Sequence, residues 1–446
     1  MKLLRFLLFI PGTCFFLAAC SSYSKDNAGL ALTPPMGWNS YDCYGHLVTE
    51  NDVKANADYM AAHLKEYGWE YIVVDYLWYA EGLTSENIRF ENPPQHIDEY
   101  GRLIPSPTLH PSSVNGKGFK PLADYVHAKG LKFGIHIMRG IPYQAIEKNT
   151  PVKGTNIKAS EIANQEDTCS WYQGLCGVDM TRPGAQEYYN SLLELYADWG
   201  VDFIKADDMS SPYHADEIEA LQRAIRRTGR YIVLSLSPGP TFIGNPRHVS
   251  THAQMWRISG DFWDQWPKLR HQFDLCRMWA PFSGPGHWPD ADMLPVGQLS
   301  IRTDIPELKP RRSQFTYEEL KTMMTLWCMF RSPLMIGGNL PDMTPEELSL
   351  LTNKEALAIN QRTNGNREIY RSGNTIVWYA EYPSSRDVAL AFFNTGDHEV
   401  HFRPDLASYG LKGNFRATDL WSGETVAPEE IPIPAHGCVL LKFQSI

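Results

Sequence analysis

The sequence predicts an α/β protein: a (β/α)8 TIM barrel followed by a small C-terminal antiparallel β-sandwich. Two observations predict this. Apolar strand-like runs alternate with helix-like runs through residues 33–363, as a parallel sheet with crossover helices requires. From about residue 364 the pattern changes to short strands separated by turns (NTIVWYAEY, DVALAFFN, FRATDLW, GCVLLKF), which reads as a sandwich over 364–446.

The eight candidate barrel strands are MGWNS (36–40), YIVVDYLWY (71–79), KFGIHIM (132–138), FIKADD (203–208), YIVLSLS (231–237), MWRISGD (255–261), HWPDADML (287–294) and SPLMIGG (332–338). Helices fall between them. After Thr49, Val53, Ala57, Met60, Leu64 and Tyr67 follow helical spacing, and Gly68 is placed to end that helix. Pro183 opens another helix and Gly200 closes it. Thr316 and Glu319 form a capping-box pattern before a third, and a closing helix is expected near 354–361. The proline-rich stretch 80–118 is expected to be a long loop on the catalytic face.

The stretch GVDFIKADDMS (200–210) carries the chemistry. Side chains alternate along a strand, so Ile204, Ala206 and Asp208 share one face and Phe203, Lys205 and Asp207 the other. The apolar Ile204/Ala206 face suits packing under the outer helices. Lys205 and Asp207 then point into the barrel near the C-terminal strand ends, where such folds carry active sites, and Asp208 becomes a loop or supporting residue. Other strand ends repeat the pattern: Asp75 on the second, Asp261 on the sixth with Arg257 four residues before it, and Asp290 and Asp292 on the seventh. One buried carboxylate reads as a structural ion pair; a ring of them with Lys and Arg reads as a site. Two carboxyl groups, one nucleophile or base and one acid, are what glycoside hydrolysis needs.

Bulk composition agrees. The chain has 41 Lys+Arg against 51 Asp+Glu and no basic stripe, which argues against nucleic acid as a partner. It is rich in rings, with 13 Trp, 22 Tyr and 19 Phe, and aromatic faces suit the C–H faces of sugars. The N-terminus MKLLRFLLFIPGTCFFLAAC has a basic start, a short apolar run and a lipobox-like Leu17-Ala18-Ala19-Cys20 end. Residues 1–19 are therefore expected to be a lipoprotein signal, with Cys20 acylated and residues 20–32 a tether. The localisation expected is export, with a lipid anchor in the periplasm or at the outer membrane of a Gram-negative bacterium. Cys169 and Cys176 are close enough in sequence to form a disulfide in that compartment. No cysteine spacing suggests a metal cluster, His252, His271 and His287 show no metal-ligand spacing, and neither a metal nor a cofactor is expected.

Several stretches, in order, resemble glycoside hydrolase family 27, the α-galactosidase and α-N-acetylgalactosaminidase family. They are LTPPMGWNSY, YIVVD, DEYGRL, LADYVHAKGLKFGIH, WGVDFIKAD, WRISGDFWDQW, SGPGHWPDADML, SPLMIGGNL and LTNKEALAINQ. The resemblance spans roughly residues 33–363. It implies a retaining double displacement with Asp207 as nucleophile and Asp261 as acid/base, the latter starting protonated. It further implies that Trp38, Asp75, Lys205, Arg257 and Asp292 hold sugar hydroxyls, with Lys205 keeping Asp207 ionised.

The sequence departs from the family pattern at substrate-facing positions. The paired aspartates after the second strand are Asp75-Tyr76, the third-strand tyrosine is His136, and the galactose-selective glutamate of the fifth loop corresponds to Ser237. A cysteine the family carries soon after the nucleophile is absent, since Met209 and Ser210 follow Asp208. The expected activity is therefore a secreted exo-glycosidase acting on glycans with terminal α-linked galactose. The alternatives on the same scaffold are an α-N-acetylgalactosaminidase and a β-L-arabinopyranosidase. The rival class is a non-catalytic glycan-binding lipoprotein, which would tolerate loss of Asp207 or Asp261; both are present.

Overall fold

The computed structural model describes residues 29–80, 94–302 and 309–446. The signal, Cys20 and most of the tether lie outside the described residues. So does part of the 80–118 loop.

Eight parallel strands curl around a common axis: β1 (Met36–Asn39), β2 (Tyr71–Val74), β3 (Lys132–Met138), β4 (Phe203–Asp207), β5 (Val233–Leu236), β6 (Met255–Arg257), β7 (Trp288–Asp290) and β8 (Leu334–Ile336). They pair in chain order from β1 to β7, and β8 pairs with β1. The seam between β7 and β8 is closed just beyond the strand end by the Leu294–Ile336 bridge, where Leu294 N–H donates to Met335 O at 2.7 Å. All eight lie within the predicted runs. β3 fills its predicted run and the other seven are shorter than theirs, mostly because the chain leaves the sheet once it reaches the polar strand-end residues.

A helix follows each strand: α1 (Glu50–His63), α2 (Lys120–Ala128), α3 (Ala185–Trp199), α4 (Ala215–Thr228), α5 (Pro246–His252), α6 (Trp266–Trp279), α7 (Tyr317–Phe330) and α8 (Lys354–Arg362). α1 is closed at its start by a capping box between Thr49 and Asp52, and it buries Val53, Ala57 and Met60 against the sheet. It stops at His63, one turn before the predicted end. A short 3-10 turn, Lys65–Tyr67, then carries the chain to Gly68, whose φ of 100° ends it. The Thr316–Glu319 capping box forms as predicted.

The alternation on β4 sorts its side chains as expected. Ile204 and Ala206 join the core between sheet and helices. Phe203 joins a separate cluster inside the barrel with Tyr71, Val73, Val233, Met255, Met293 and Met335. That cluster plugs the lower barrel, so only the upper end can take a ligand.

The C-terminal domain has a six-stranded antiparallel sheet and a two-stranded ribbon. In chain order its strands are β9 (Asn364–Ser372), β10 (Thr375–Glu381), β11 (Val388–Asn394), β12 (Val400–Phe402), β13 (Phe415–Asp419), β14 (Thr425–Val426), β15 (Ile431–Ile433) and β16 (Cys438–Ser445). The large sheet runs β9-β10-β11-β16-β13-β14, and β12 pairs with β15 over an apolar layer including Leu390, Phe392, Ile433 and Phe443. It seats on α7 and α6. Thr322 Oγ1 donates to His436 O at 2.8 Å, and the His436 ring stacks on Trp266 with centroids 3.8 Å apart. No helix among the described residues is long and apolar enough to cross a membrane.

Candidate active site

Asp207 ends β4 inside the barrel mouth, with its side chain 14% exposed. His136 Nε2, from β3, lies 3.1 Å from its Oδ2, and Ser237 Oγ, from the end of β5, donates to Oδ1 at 2.8 Å. Burial alone would push this carboxyl up. The hydrogen bond and charge of His136, then the Lys205 ammonium, then Ser237 outweigh it and hold Asp207 below the usual carboxylate range.

Lys205 is therefore not the first partner of Asp207. Its Nζ binds Asp75 Oδ2 at 2.9 Å, and Asn39 Nδ2 donates to the same oxygen at 2.5 Å. Tyr76 N–H donates to the other oxygen at 2.8 Å. Asp75 is completely buried, but Lys205, His136 and these hydrogen bonds overcome the desolvation and hold it ionised well below its ordinary value.

Across the mouth, Arg257 plays the matching role. One guanidinium nitrogen lies 2.7 Å from Asp292 Oδ2 and 3.2 Å from Asp261 Oδ1. Phe262 N–H also donates to Asp292 Oδ2, at 2.7 Å. Asp261 is 68% exposed on its side chain, so it stands at the rim rather than in the shielded surroundings a resting acid suggests. Burial raises Asp292, opposed by Arg257, and pushes Asp290 up to about 7 with Asp292 as the second cause. Asn39, Lys205, Ser237, Arg257, Asp290 and Asp292 line a single pocket floored by the methionines of the barrel plug.

Aromatic rings wall the β2 side. Tyr76 stands edge-on to His136 (5.5 Å), Trp171 (5.6 Å), Tyr172 (5.5 Å) and Tyr41 (6.5 Å). Trp171 and Tyr172 come from the long β3–α3 connection. Gln95, from the β2–α2 loop, donates to the Tyr172 hydroxyl at 2.6 Å, which places the described part of that loop on the catalytic face as expected.

Trp38 corrects the sequence expectation. It is 0% exposed in the layer between sheet and helices, and its indole N–H donates to Gly338 O at 2.9 Å, so it has no donor left for a sugar hydroxyl. On β1 it is Asn39, one residue on, that enters the mouth, and Tyr41 supplies the aromatic ring there. The Cys169–Cys176 disulfide is not formed: both are buried free thiols. Thr168 rather than Cys169 stands opposite Cys176 in the sheet, and the Cys169 side chain bonds Asp208 instead.

One further acid was not singled out from the sequence. Asp42 is buried, and burial followed by the charge of Asp292 raises it well above the carboxylate range. It packs so closely on Gly337 that a Cβ there would lie 2.1 Å from its Oδ2, so Gly337 serves to make room for this acid. Asp208 turns away from the mouth at φ 59° into a buried charge cluster. Arg139 Nε donates to Asp208 at 2.9 Å, while its other nitrogens reach Asp167 at 2.9 Å and Glu217 at 2.7 Å. Arg139 N–H donates to Asp207 O at 3.0 Å, so this cluster fixes the end of β4 against β3.

A closed barrel with acids, two buried cations and aromatic walls at one mouth is the equipment of a glycoside hydrolase. Comparison with known proteins agrees. The model of the α-galactosidase A family matches residues 172–362, and that of the α-galactosidase C-terminal β-sandwich domain matches 372–443. A family 27 β-L-arabinopyranosidase from Geobacillus stearothermophilus is 46% identical with a TM-score of 0.90, the match covering 93% of this chain and 97% of that one. A Bacillus halodurans protein described as a candidate α-N-acetylgalactosaminidase is 45% identical with a TM-score of 0.84, covering 93% and 98%. α-Galactosidase A of Cellvibrio japonicus is 28% identical over 451 residues, covering 93% and 92%. The chain belongs to glycoside hydrolase family 27.

Arg139→Met would leave Asp208 and Glu217 buried without their cation. We expect a loss of about 3–5 kcal/mol, the usual cost of stranding a buried charge, measured as a lowered urea midpoint.

Proposed function

We propose that this protein is a retaining exo-glycosidase that prefers a terminal β-L-arabinopyranosyl residue and cleaves terminal α-D-galactosyl residues as a secondary activity. Asp207 attacks the anomeric carbon while Asp261 gives its proton to the glycosidic oxygen, and the aglycone leaves as an alcohol. Asp261, now a carboxylate, takes a proton from water as the water attacks the same carbon and frees Asp207. Lys205 and Asp75 hold sugar hydroxyls from one side, and Arg257 with Asp292 from the other.

The observation that carries the sugar preference is Tyr76. It occupies the place where the family resemblance puts a second aspartate against the 4- and 6-hydroxyl edge of galactose. Four rings pack around it, so it is not free to swing aside. A phenol there removes a carboxylate acceptor and adds bulk. β-L-Arabinopyranose is galactose without its exocyclic carbon, so it loses nothing at this wall. This reverses the order of sugars expected from the sequence, and the 46% identity to an arabinopyranosidase supports the reversal. For an N-acetyl group at position 2, the Ser237 side is relevant, but its hydroxyl is committed to Asp207 at 2.8 Å.

The test is kcat/KM on nitrophenyl β-L-arabinopyranoside, α-D-galactoside and α-N-acetylgalactosaminide. The arabinoside should lead, and Tyr76→Asp should shift the galactoside-to-arabinoside ratio toward galactose by at least about tenfold, since gained or lost hydroxyl recognition discriminates strongly. A galactoside preference in the unmodified protein would refute the proposal.

A second expectation concerns pH. Burial raises Asp207 and His136 supplies the largest opposing effect, so His136→Phe leaves burial less opposed and raises its pKa. The acidic limb of kcat/KM, which reports the free enzyme, should move to higher pH, with the alkaline limb unmoved. An unmoved acidic limb would contradict the assignment of Asp207.

Export and acylation at Cys20 also belong to the proposal and rest on the leader sequence. Cys20→Ala should shift the protein from the membrane fraction to the soluble fraction; an unmodified protein already wholly soluble would rule the anchor out.

A further inference from the structure

α5 carries His248 and His252 one helical turn apart, with ring centroids 4.2 Å apart. Beside them, on the first turns of α4, stands Glu219, whose Oε1 lies 3.2 Å from His248 Nε2. One ligand atom from each of the three residues falls within 4.8 Å of the other two, and all three residues are half-buried.

What distinguishes this group from a chance cluster is how its other atoms are occupied. His252 Nδ1 is 2.7 Å from His248 O, one turn earlier, where only a donated N–H can satisfy it; this leaves Nε2 as a lone pair. His248 Nδ1 lies 2.6 Å from the Tyr213 hydroxyl and its Nε2 faces Glu219, so a metal ion would take the place of the proton shared between Nε2 and the carboxylate. Such contacts on the far ring nitrogen are the usual way a metal-ligating histidine is oriented. Arg223 holds the second oxygen of Glu219 at 3.0 Å.

We propose that Glu219, His248 and His252 form a binding site for a borderline divalent metal ion of the zinc type. Two imidazole nitrogens and one carboxylate are a three-ligand zinc set, with the fourth position open to solvent. The hard ions Mg2+ and Ca2+ prefer all-oxygen ligands and are not suited to it. The second mixed cluster, Asp167, His214 and Glu217, differs in kind: the Arg139 guanidinium already fills it.

The site is outside the catalytic mouth but next to it. α4 follows the loop after Asp207, α5 follows the loop after Ser237, and Tyr213 belongs to the first of these loops. A metal ion here would fasten the two helices behind the nucleophile and its Ser237 partner, a structural role independent of which sugar the mouth accepts. The sequence expectation that His252 shows no metal-ligand spacing is thereby corrected: His248 and His252 stand four residues apart on one helix, the spacing of a helical ligand pair.

The test uses the purified protein without a histidine tag, stripped with a chelator and titrated calorimetrically with ZnCl2, MgCl2 and CaCl2. We expect a saturable zinc site of one ion per chain and no comparable heat from magnesium or calcium. Glu219→Gln and His252→Asn should each weaken zinc binding by at least about tenfold and abolish the zinc-dependent rise in melting temperature. Their metal-free kcat/KM on aryl glycosides should stay unchanged, which shows that they are folded. Zinc binding unaltered in both variants, or no saturable binding in the unmodified protein, means an adventitious ion only and overturns the proposal. Should either variant fail to fold, anomalous diffraction from zinc-soaked crystals decides: a peak among these three side chains supports the site, and zinc bound only elsewhere refutes it.

Discussion

Two cations buried in the mouth of a closed barrel cannot stand uncompensated, and this requirement organises the site. Lys205 and Arg257 are each surrounded by aspartates at the ends of different strands. Lys205 takes Asp75 and, at longer range, Asp207; Arg257 takes Asp292 and Asp261. Because the cations are fewer than the acids, the acids divide. Asp75 and Asp207 are held ionised, whereas Asp42, Asp290 and Asp292 are pushed the other way by burial and by one another.

Support for this pocket comes from both sides of β4. Below, the Phe203 cluster closes the barrel so the charges face only upward. Behind, Arg139 gathers Asp208, Asp167 and Glu217, fixing the turn that follows the proposed nucleophile. Asp208 and Asp292 both adopt positive φ, 59° and 84°, at the points where their strands release these acids. Aspartate tolerates that region better than most residues, because its short side chain can bond locally.

The barrel was legible because a parallel sheet writes itself as apolar runs with polar ends, and β3 (132–138) was read to the residue. Alternation placed Lys205, Asp207 and Asp208 correctly on β4. The same parity, applied to β1, puts Asn39 inside and Trp38 outside, against the role that the family resemblance implied for Trp38. His136 was noticed as a departure, but its contact with Asp207 depends on the register of β3 against β4, where His136 pairs with Lys205. The rings around Tyr76 were not legible at all. Trp171 and Tyr172 arrive from a connection more than ninety residues along the chain, and no local pattern records such a meeting. Cys169 and Cys176 show the reverse failure: nearness in sequence did not make them partners across the strand pair.

Aromatic walls give the pocket its shape, and the buried ion pairs give it its charge pattern. The account therefore rests on Asp207 acting as an ionised nucleophile rather than as one more partner of a buried cation. The most direct test is the anomer first released from nitrophenyl β-L-arabinopyranoside, followed by proton NMR before mutarotation. The account predicts β-L-arabinopyranose, the retained product of two displacements. Initial release of the α-anomer would mean a single displacement by water and would contradict it.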